Sequence, residues 1–253
     1  MHIISYNILA QAYLLPERYL GIPPEFLEAE ARQSRLIQHI QSMDADLVCL
    51  QEVEPAFFEK LQAALPALHG LYAPKTGRPD GLATFYKPSL TLTHQQVLHF
   101  ENADPGYDHI AQILCFEGPE SAFRLGNTHL RWQRNDTPES KHQGVLQLTE
   151  LLDAMDTLPA SPRVICGDLN ANAGSPVIAR ARERGLRPPP HEGRPADTAI
   201  INGRFRRLDW VLFELRGMRG QERPLPSLKH VGHMPGAVEP SDHLPLHADL
   251  MWR

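Results

Sequence analysis

At 253 residues, with 42% hydrophobic and 22% charged side chains, the chain has the composition of a globular protein of one large or two small domains. Its formal net charge of −5 argues against a sequence-indifferent clamp on duplex DNA, which needs many cationic phosphate contacts, and leaves room for a local basic patch. No run approaches the roughly 18 apolar residues of a membrane span, and no cationic segment precedes an apolar one at Met1-His2-Ile3-Ile4, so neither membrane insertion nor a secretory signal is expected.

The first predicted strand is His2 to Leu9. Pro23-Pro24 opens a helix reaching about Met43, with Phe26, Ala29, Leu36, Ile40 and Met43 near helical spacing. Asp46 to Gln51 is an apolar strand ending at Glu52, and Pro55 starts a shorter helix carrying Phe58, Leu61 and Leu65. A loop with Lys75 and Arg78 leads to the Asp80-Gly81 turn and a strand from Leu82 to Tyr86. Strands follow around Leu90–Phe100, Ile110–Phe116 and Ala122–Leu130. Next come a long helix from about Pro138 to Met155, a strand Arg163–Cys166 and a helix from about Ser175 to Arg184. The proline-rich stretch Arg187 to Pro195 reads as an ordered surface loop, and strands Arg207–Phe213 and Leu244–Leu250 complete the pattern. Strands mixed with few helices, without regular strand–helix alternation, predict an α+β layered sandwich in a single domain covering residues 1–253. Cys49, Cys115 and Cys166 each lie inside an apolar run; they are expected to be buried free thiols in a reducing compartment, which makes the expected location cytoplasmic.

The chemistry sits in polar islands at strand ends, where every buried polar group needs a partner. They are Ser5-Tyr6-Asn7, Gln51-Glu52, Asn127-Thr128-His129, Gly167-Asp168-Leu169-Asn170 and Ser241-Asp242-His243. Hard oxygen ligands and imidazoles recurring at such tips point to strand ends that converge on one cation and one anionic substrate. Glu52, a lone carboxylate ending an apolar strand, is the best ligand for Mg²⁺ or Mn²⁺; capping the helix before Pro55 is its competing role. Asp168 and Asn170 lie two residues apart on one side of an extended segment, suited to holding an attacking water and a phosphoryl oxygen, or to an ordinary turn ahead of Ser175. Asp209 either pairs with His243, fixing its tautomer, or with Arg206 or Arg207. His129 either stabilises charge on a transferring phosphoryl group or is structural. Tyr13 to Tyr19 offers aromatics for a base-binding wall or for packing.

Six segments resemble, in order, the motifs of the endonuclease/exonuclease/phosphatase superfamily, the DNase I-like fold. They are Ser5-Tyr-Asn-Ile-Leu-Ala10, Asp46-Leu-Val-Cys-Leu-Gln-Glu52, Gly126-Asn-Thr-His129, Cys166-Gly-Asp-Leu-Asn-Ala171, Leu208-Asp-Trp-Val211 and Ser241-Asp-His-Leu-Pro245. Asp80-Gly-Leu-Ala-Thr-Phe-Tyr-Lys87 and Pro240-Ser-Asp-His-Leu-Pro-Leu246 look most like the deadenylase, nocturnin and angel branch. The resemblance implies a four-layer α/β/β/α sandwich of two mixed β-sheets. It implies Asn7, Glu52 and Asp242 as metal residues, and His129, Asp168, Asn170, Asp209 and His243 as catalytic ones. His129, Asn170 and Arg131 would contact the substrate, and Lys75 or Arg78 would add charge to the phosphate pocket. Leu9 stands where many DNA-repair relatives carry an acid, which weakens an abasic-site endonuclease reading. The leucine-rich-repeat extension of large deadenylases is absent, so no obligate protein partner is inferred. The expected activity is Mg²⁺-dependent hydrolysis of a phosphodiester in RNA or another single-stranded nucleotide substrate. A phosphatase of a small phosphorylated metabolite and a catalytically inactive binding protein are the competing expectations.

Overall fold

The computed structural model describes residues 1–101, 108–190 and 196–252. In chain order the first half contains β1 (His2–Asn7), α1 (Pro24–Leu27), α2 (Ala29–Ser42), β2 (Leu47–Val53), α3 (Pro55–Ala64), β3 (His69–Pro74), β4 (Gly81–Tyr86), β5 (Thr91–His99), β6 (Ile110–Glu117) and β7 (Ala122–His129). The second half contains α4 (Gln143–Asp156), β8 (Arg163–Asp168), α5 (Pro176–Glu183), β9 (Leu186–Arg187), β10 (Ala199–Ile201), β11 (Arg204–Arg206), β12 (Asp209–Glu214), β13 (Met218–Glu222), α6 (Leu228–Val231) and β14 (Leu246–Trp252).

Two six-stranded sheets run in the orders β13-β14-β1-β2-β4-β3 and β5-β6-β7-β8-β12-β9, with β10-β11 as a separate hairpin. Each large sheet is mixed. One parallel pair, β1 with β2 or β7 with β8, sits at its centre, and the other neighbours are antiparallel. Side-chain alternation makes the layers. Ile3, Leu47 and Cys49 point inward against Leu125, Val164, Cys166 and Val211 of the other sheet. Their neighbours Ile4, Tyr6, Val48 and Leu50 point outward and pack under Leu36, Ile40, Phe57 and Leu61 of α2 and α3. On the far side Ala111, Ile113, Ile165, Trp210 and Leu212 pack under Leu148, Leu151, Leu152 and Ile178 of α4 and α5. The result is the expected α/β/β/α four-layer sandwich.

Several elements differ from the sequence reading, each for a local reason. The helix through Met43 is broken at Glu28, which is extended (φ −64°, ψ 128°) so that its carboxylate can accept from the Glu30 and Ala31 N–H groups. The helix placed from Pro138 is a short 3₁₀ turn, Glu139–Lys141, before α4, because extended His142 caps α4 through a Val145 N–H contact at 3.3 Å. β3, the β10-β11 hairpin and β13 lack the clean alternation that marks a strand; β4 recruits β3, β14 recruits β13, and β10 and β11 pair with each other. Cys115 is only partly buried, in contrast to Cys49 and Cys166. Residues 191–195 of the proline-rich loop lie outside the described residues. No helix among the described residues is long and apolar enough to cross a membrane.

Candidate active site

The two parallel pairs explain the convergence. β1 and β2 end at the same edge of their sheet, β7 and β8 at the matching edge of theirs, and ligand sites form outside such carboxyl ends. Antiparallel β12 and β14 begin where those strands end. Asn7, Glu52, His129 and Asp168 therefore meet Asp209 and the Asp242-His243 pair at one end of the sandwich. In register, His129 and Asp209 flank Asp168 on either side.

Backbone distortion aims the groups. Glu52 occupies a bulge between Gln51 and Val53 with φ +59°, which turns its carboxylate out of the ladder. Leu9 (φ +54°) and Asn170 (φ +50°) share this left-handed conformation, costing each non-glycine residue roughly 1 kcal/mol or more that the surrounding packing must offset. Gly167 lets β8 approach β7, since a Cβ there would lie 1.9 Å from the Thr128 carbonyl oxygen.

Asn7 ties the two halves together: its amide nitrogen donates to Glu52 Oε1 at 3.0 Å and to Asp168 Oδ2 at 3.1 Å. Its own oxygen accepts from the Leu9 N–H at 3.0 Å, which fixes the amide orientation. Glu52 Oε2 accepts from the Ala10 N–H, so Glu52 does not cap α3. Burial, and after it the charge of Asp242, pushes the Glu52 carboxyl above its ordinary range. Burial raises Asp168 too, to about 7, against the opposing pull of His243.

His243 Nδ1 donates to Asp209 Oδ2 at 2.8 Å, which settles the choice between His243 and an arginine partner, and Arg207 is bound instead to Glu222. Burial pulls His243 down, but Asp209 and Asp168 outweigh it and hold the imidazole well above its ordinary value. Its Nε2 faces Asp168 Oδ2 at 3.8 Å. Ser241 fixes this loop by donating to the Asn7 carbonyl and accepting from the His243 N–H.

His129 is tuned the opposite way, by burial and then by the charge of Lys75, and is held neutral. The Asn170 amide donates to Leu130 O at 2.9 Å and to His129 Nε2 at 3.1 Å. A neutral ring whose Nε2 accepts carries its proton on Nδ1, and that buried Nδ1 has no hydrogen-bond partner. The site thus holds an aimed N–H donor, set in its tautomer by Asn170.

Asp242 lies to one side, accepting at 3.0 Å from the Tyr19 hydroxyl. Lys75 is not free to face a substrate: it is paired with buried Asp80, which also accepts from Tyr13 at 2.6 Å. The Arg131 backbone N–H is bonded to Gln147, and its charge and that of Lys75 act on His109, whose Nδ1 donates to the His129 carbonyl. Gln51 donates to Asn127 at 2.9 Å, and Asn127 donates in turn to Thr84 and Gln112 between the sheets; they form a polar floor rather than part of the reacting set. Arg32 was invisible as a site residue. Buried on α2, it donates to the carbonyls of Ile8, Leu9 and Pro240, joining the loops that carry Asn7 and Asp242.

The donor set suits a hard divalent cation. Two carboxylates stand within reach of one amide, both strained upward in pKa by burial, and Asp209 Oδ1 is buried without a partner. Asp168, Asp209 and His243 have ligand atoms within 4.8 Å of one another, but the short Asp209–His243 hydrogen bond occupies the imidazole nitrogen nearest Asp209.

The chain is 27% identical to rat 2′,5′-phosphodiesterase 12 over 99% of its own length and 51% of that protein. It is 30% identical to the Candida glabrata CCR4-Not complex 3′-5′-exoribonuclease subunit Ccr4 over 69% of this chain and 24% of that one. The chain thus spans about half the length of the first relative and a quarter of the second. The crystal structure of ANGEL2, a 2′,3′-cyclic phosphatase bound to adenosine-2′,3′-vanadate, superposes with a TM-score of 0.84 at 23% identity, covering 98% of this chain and 94% of that one, and so shares the DNase I-like fold. The Endonuclease/Exonuclease/phosphatase family pattern matches residues 4–243, and the chain belongs to that family.

Proposed function

We propose that this member of the endonuclease/exonuclease/phosphatase family is a divalent-metal-dependent phosphoesterase, folded as one domain. It hydrolyses a phosphodiester at the end of RNA or another single-stranded nucleotide by in-line attack of water. One observation carries the reading: Asp168 is flanked by a neutral histidine with an unpartnered N–H on one side and an Asp-supported, proton-retaining histidine on the other. The names of the relatives, a 2′,5′-phosphodiesterase and an exoribonuclease subunit, support the substrate class.

Glu52 is the principal residue to hold Mg²⁺ or Mn²⁺, with the second lone pair of the Asn7 oxygen and the Asp242 carboxylate at its sides. The bound cation supplies charge neutralisation at the phosphate and the leaving oxygen. The protein does the rest. A water between Asp168 Oδ2 and His243 Nε2 gives its proton to Asp168, whose raised affinity suits a base near neutral pH. His243, oriented by Asp209, holds that water through its Nε2–H. The His129 Nδ1–H stabilises a phosphoryl oxygen, and Asn170 acts through His129 by fixing the tautomer. Arg131 lends positive charge from the rim, and the free thiols suit a reducing, cytoplasmic setting.

The test is a panel of oligo(A), duplex DNA, dinucleotide cofactors and phosphoinositides, with Mg²⁺ or Mn²⁺ and with EDTA. Cleavage of oligo(A) that stops in EDTA is expected. Turnover of a small phosphomonoester with inert oligonucleotides would replace this reading by the metabolite-phosphatase one.

A further inference from the structure

A cavity of about 500 Å³ opens beside Asp242, between the segment before α1 and the β10-β11 hairpin. Arg18, Tyr19 and Leu20 line one wall, and Ile200, Ile201 and Asn202 the other. Both walls are bonded to the same acid. The Tyr19 hydroxyl donates to Asp242 Oδ2 at 3.0 Å, and the Ile200 N–H donates to the Asp242 carbonyl at 3.0 Å. Ala199, one residue earlier, is bridged to His243. The cavity therefore adjoins the acid–imidazole side of the reaction centre and is not a remote crevice.

The lining decides what fits. A volume between roughly 300 and 1,000 Å³ is that of small-molecule sites, and here aliphatic side chains share the lining with a larger polar surface. Leu20 is 85% exposed at the mouth, a large apolar side chain with no packing role to explain it. The Asp242 carboxylate meets the cavity only through the Tyr19 hydroxyl, and among the described residues the lining itself contains no carboxylate. Aliphatic faces, one phenol ring and a polar edge of Arg18 and Asn202 suit a flat heterocycle with hydrogen-bonding rim atoms. Asn202 (φ +50°) and Gly203 (φ +69°) form the tight hairpin tip that sets the second wall.

We propose that this cavity is the subsite for a nucleobase of the substrate, seated between Leu20 and Ile201 with Tyr19 linking it to Asp242. The inference rests on the phosphoesterase reading and adds the part of the substrate recognised. It is tested with two oligoribonucleotides, one intact and one ending in an abasic ribose, and with adenosine, which has no phosphate, as inhibitor. Ile201→Trp fills the cavity, and Leu20→Ala removes an exposed contact that the fold does not need. For the intact substrate, KM rises about tenfold or more in Ile201→Trp, kcat is unchanged, and Leu20→Ala shifts KM less in the same direction. Neither variant alters KM for the abasic substrate, and adenosine inhibits wild type but not Ile201→Trp. Thermal melting shows whether Ile201→Trp is folded; if it is not, Leu20→Ala and adenosine carry the test. Equal KM values for the intact and abasic substrates in wild type, with no adenosine inhibition, overturn the subsite and leave the phosphoesterase reading standing. A wild type inert on both substrates overturns that parent reading instead.

Discussion

Replacing Glu52 by glutamine separates stability from activity. Oε1 accepts from the Asn7 amide at 3.0 Å and Oε2 from the Ala10 N–H at 3.1 Å. Glutamine has one oxygen and one NH₂, so one of these donors must face another donor, a loss of about 1–3 kcal/mol. Opposing that, the substitution removes a carboxylate that burial and Asp242 disfavour in its charged form. The two effects oppose each other, so the metal-free variant should lose less than the full amount of about 1–3 kcal/mol, read by melting at pH 8. Metal separates the two proteins. A cation at about 100 times its Kd stabilises wild type by about 2.7 kcal/mol, or roughly 5–10 °C for a chain of this length. Glu52→Gln should lose most of that rise and drop turnover by roughly 10²–10³-fold. Melting curves with and without Mg²⁺, paired with oligo(A) hydrolysis, read both. An undiminished metal-induced rise in the variant, or turnover within about twofold of wild type, would refute the assignment of Glu52.

Asp209→Asn should leave His243 unsupported in tautomer and charge and lower kcat by about 10²–10⁴-fold with little change in KM, measured by steady-state kinetics. Asp168 carries a raised proton affinity, so its contribution to stability is present below the ordinary 3.8 and lost as pH rises through about 7. In EDTA, the melting temperature of Asp168→Asn should therefore gain on that of wild type between those pH values; a difference that does not change with pH would contradict the burial argument. Gly167→Ala places a methyl 1.9 Å from the Thr128 oxygen, and backbone must move to admit it. A loss of at least about 3 kcal/mol is expected by urea unfolding.

The fold was legible because its layers are written in alternation: Ile3 against Ile4, Cys49 against Leu50, Val164 against Ile165. The reacting residues were legible because a carboxylate or imidazole at the end of an apolar strand demands a partner. What escaped were groups whose partners lie far away in the chain. Tyr19 meets Asp242 across 223 residues and Arg32 meets Pro240 across 208, and neither sits in a pattern that marks it. Asn127 and Gln51 looked like site residues and are a hydrogen-bonded floor, since a buried amide satisfied by another amide leaves the same trace in sequence as one awaiting a ligand. Asn170 illustrates a finer limit: its spacing from Asp168 was readable, while the commitment of its amide to His129 required the left-handed turn at that residue.

The central claim, that an activated water attacks phosphorus at this strand-end site, is tested most directly by hydrolysing oligo(A) with the Mg²⁺-loaded protein in ¹⁸O-water. Mass spectrometry of the released nucleotide should show a single heavy oxygen in the phosphate of each product, and no product in EDTA. Phosphate without the label, or cleavage that persists without metal, would contradict the account.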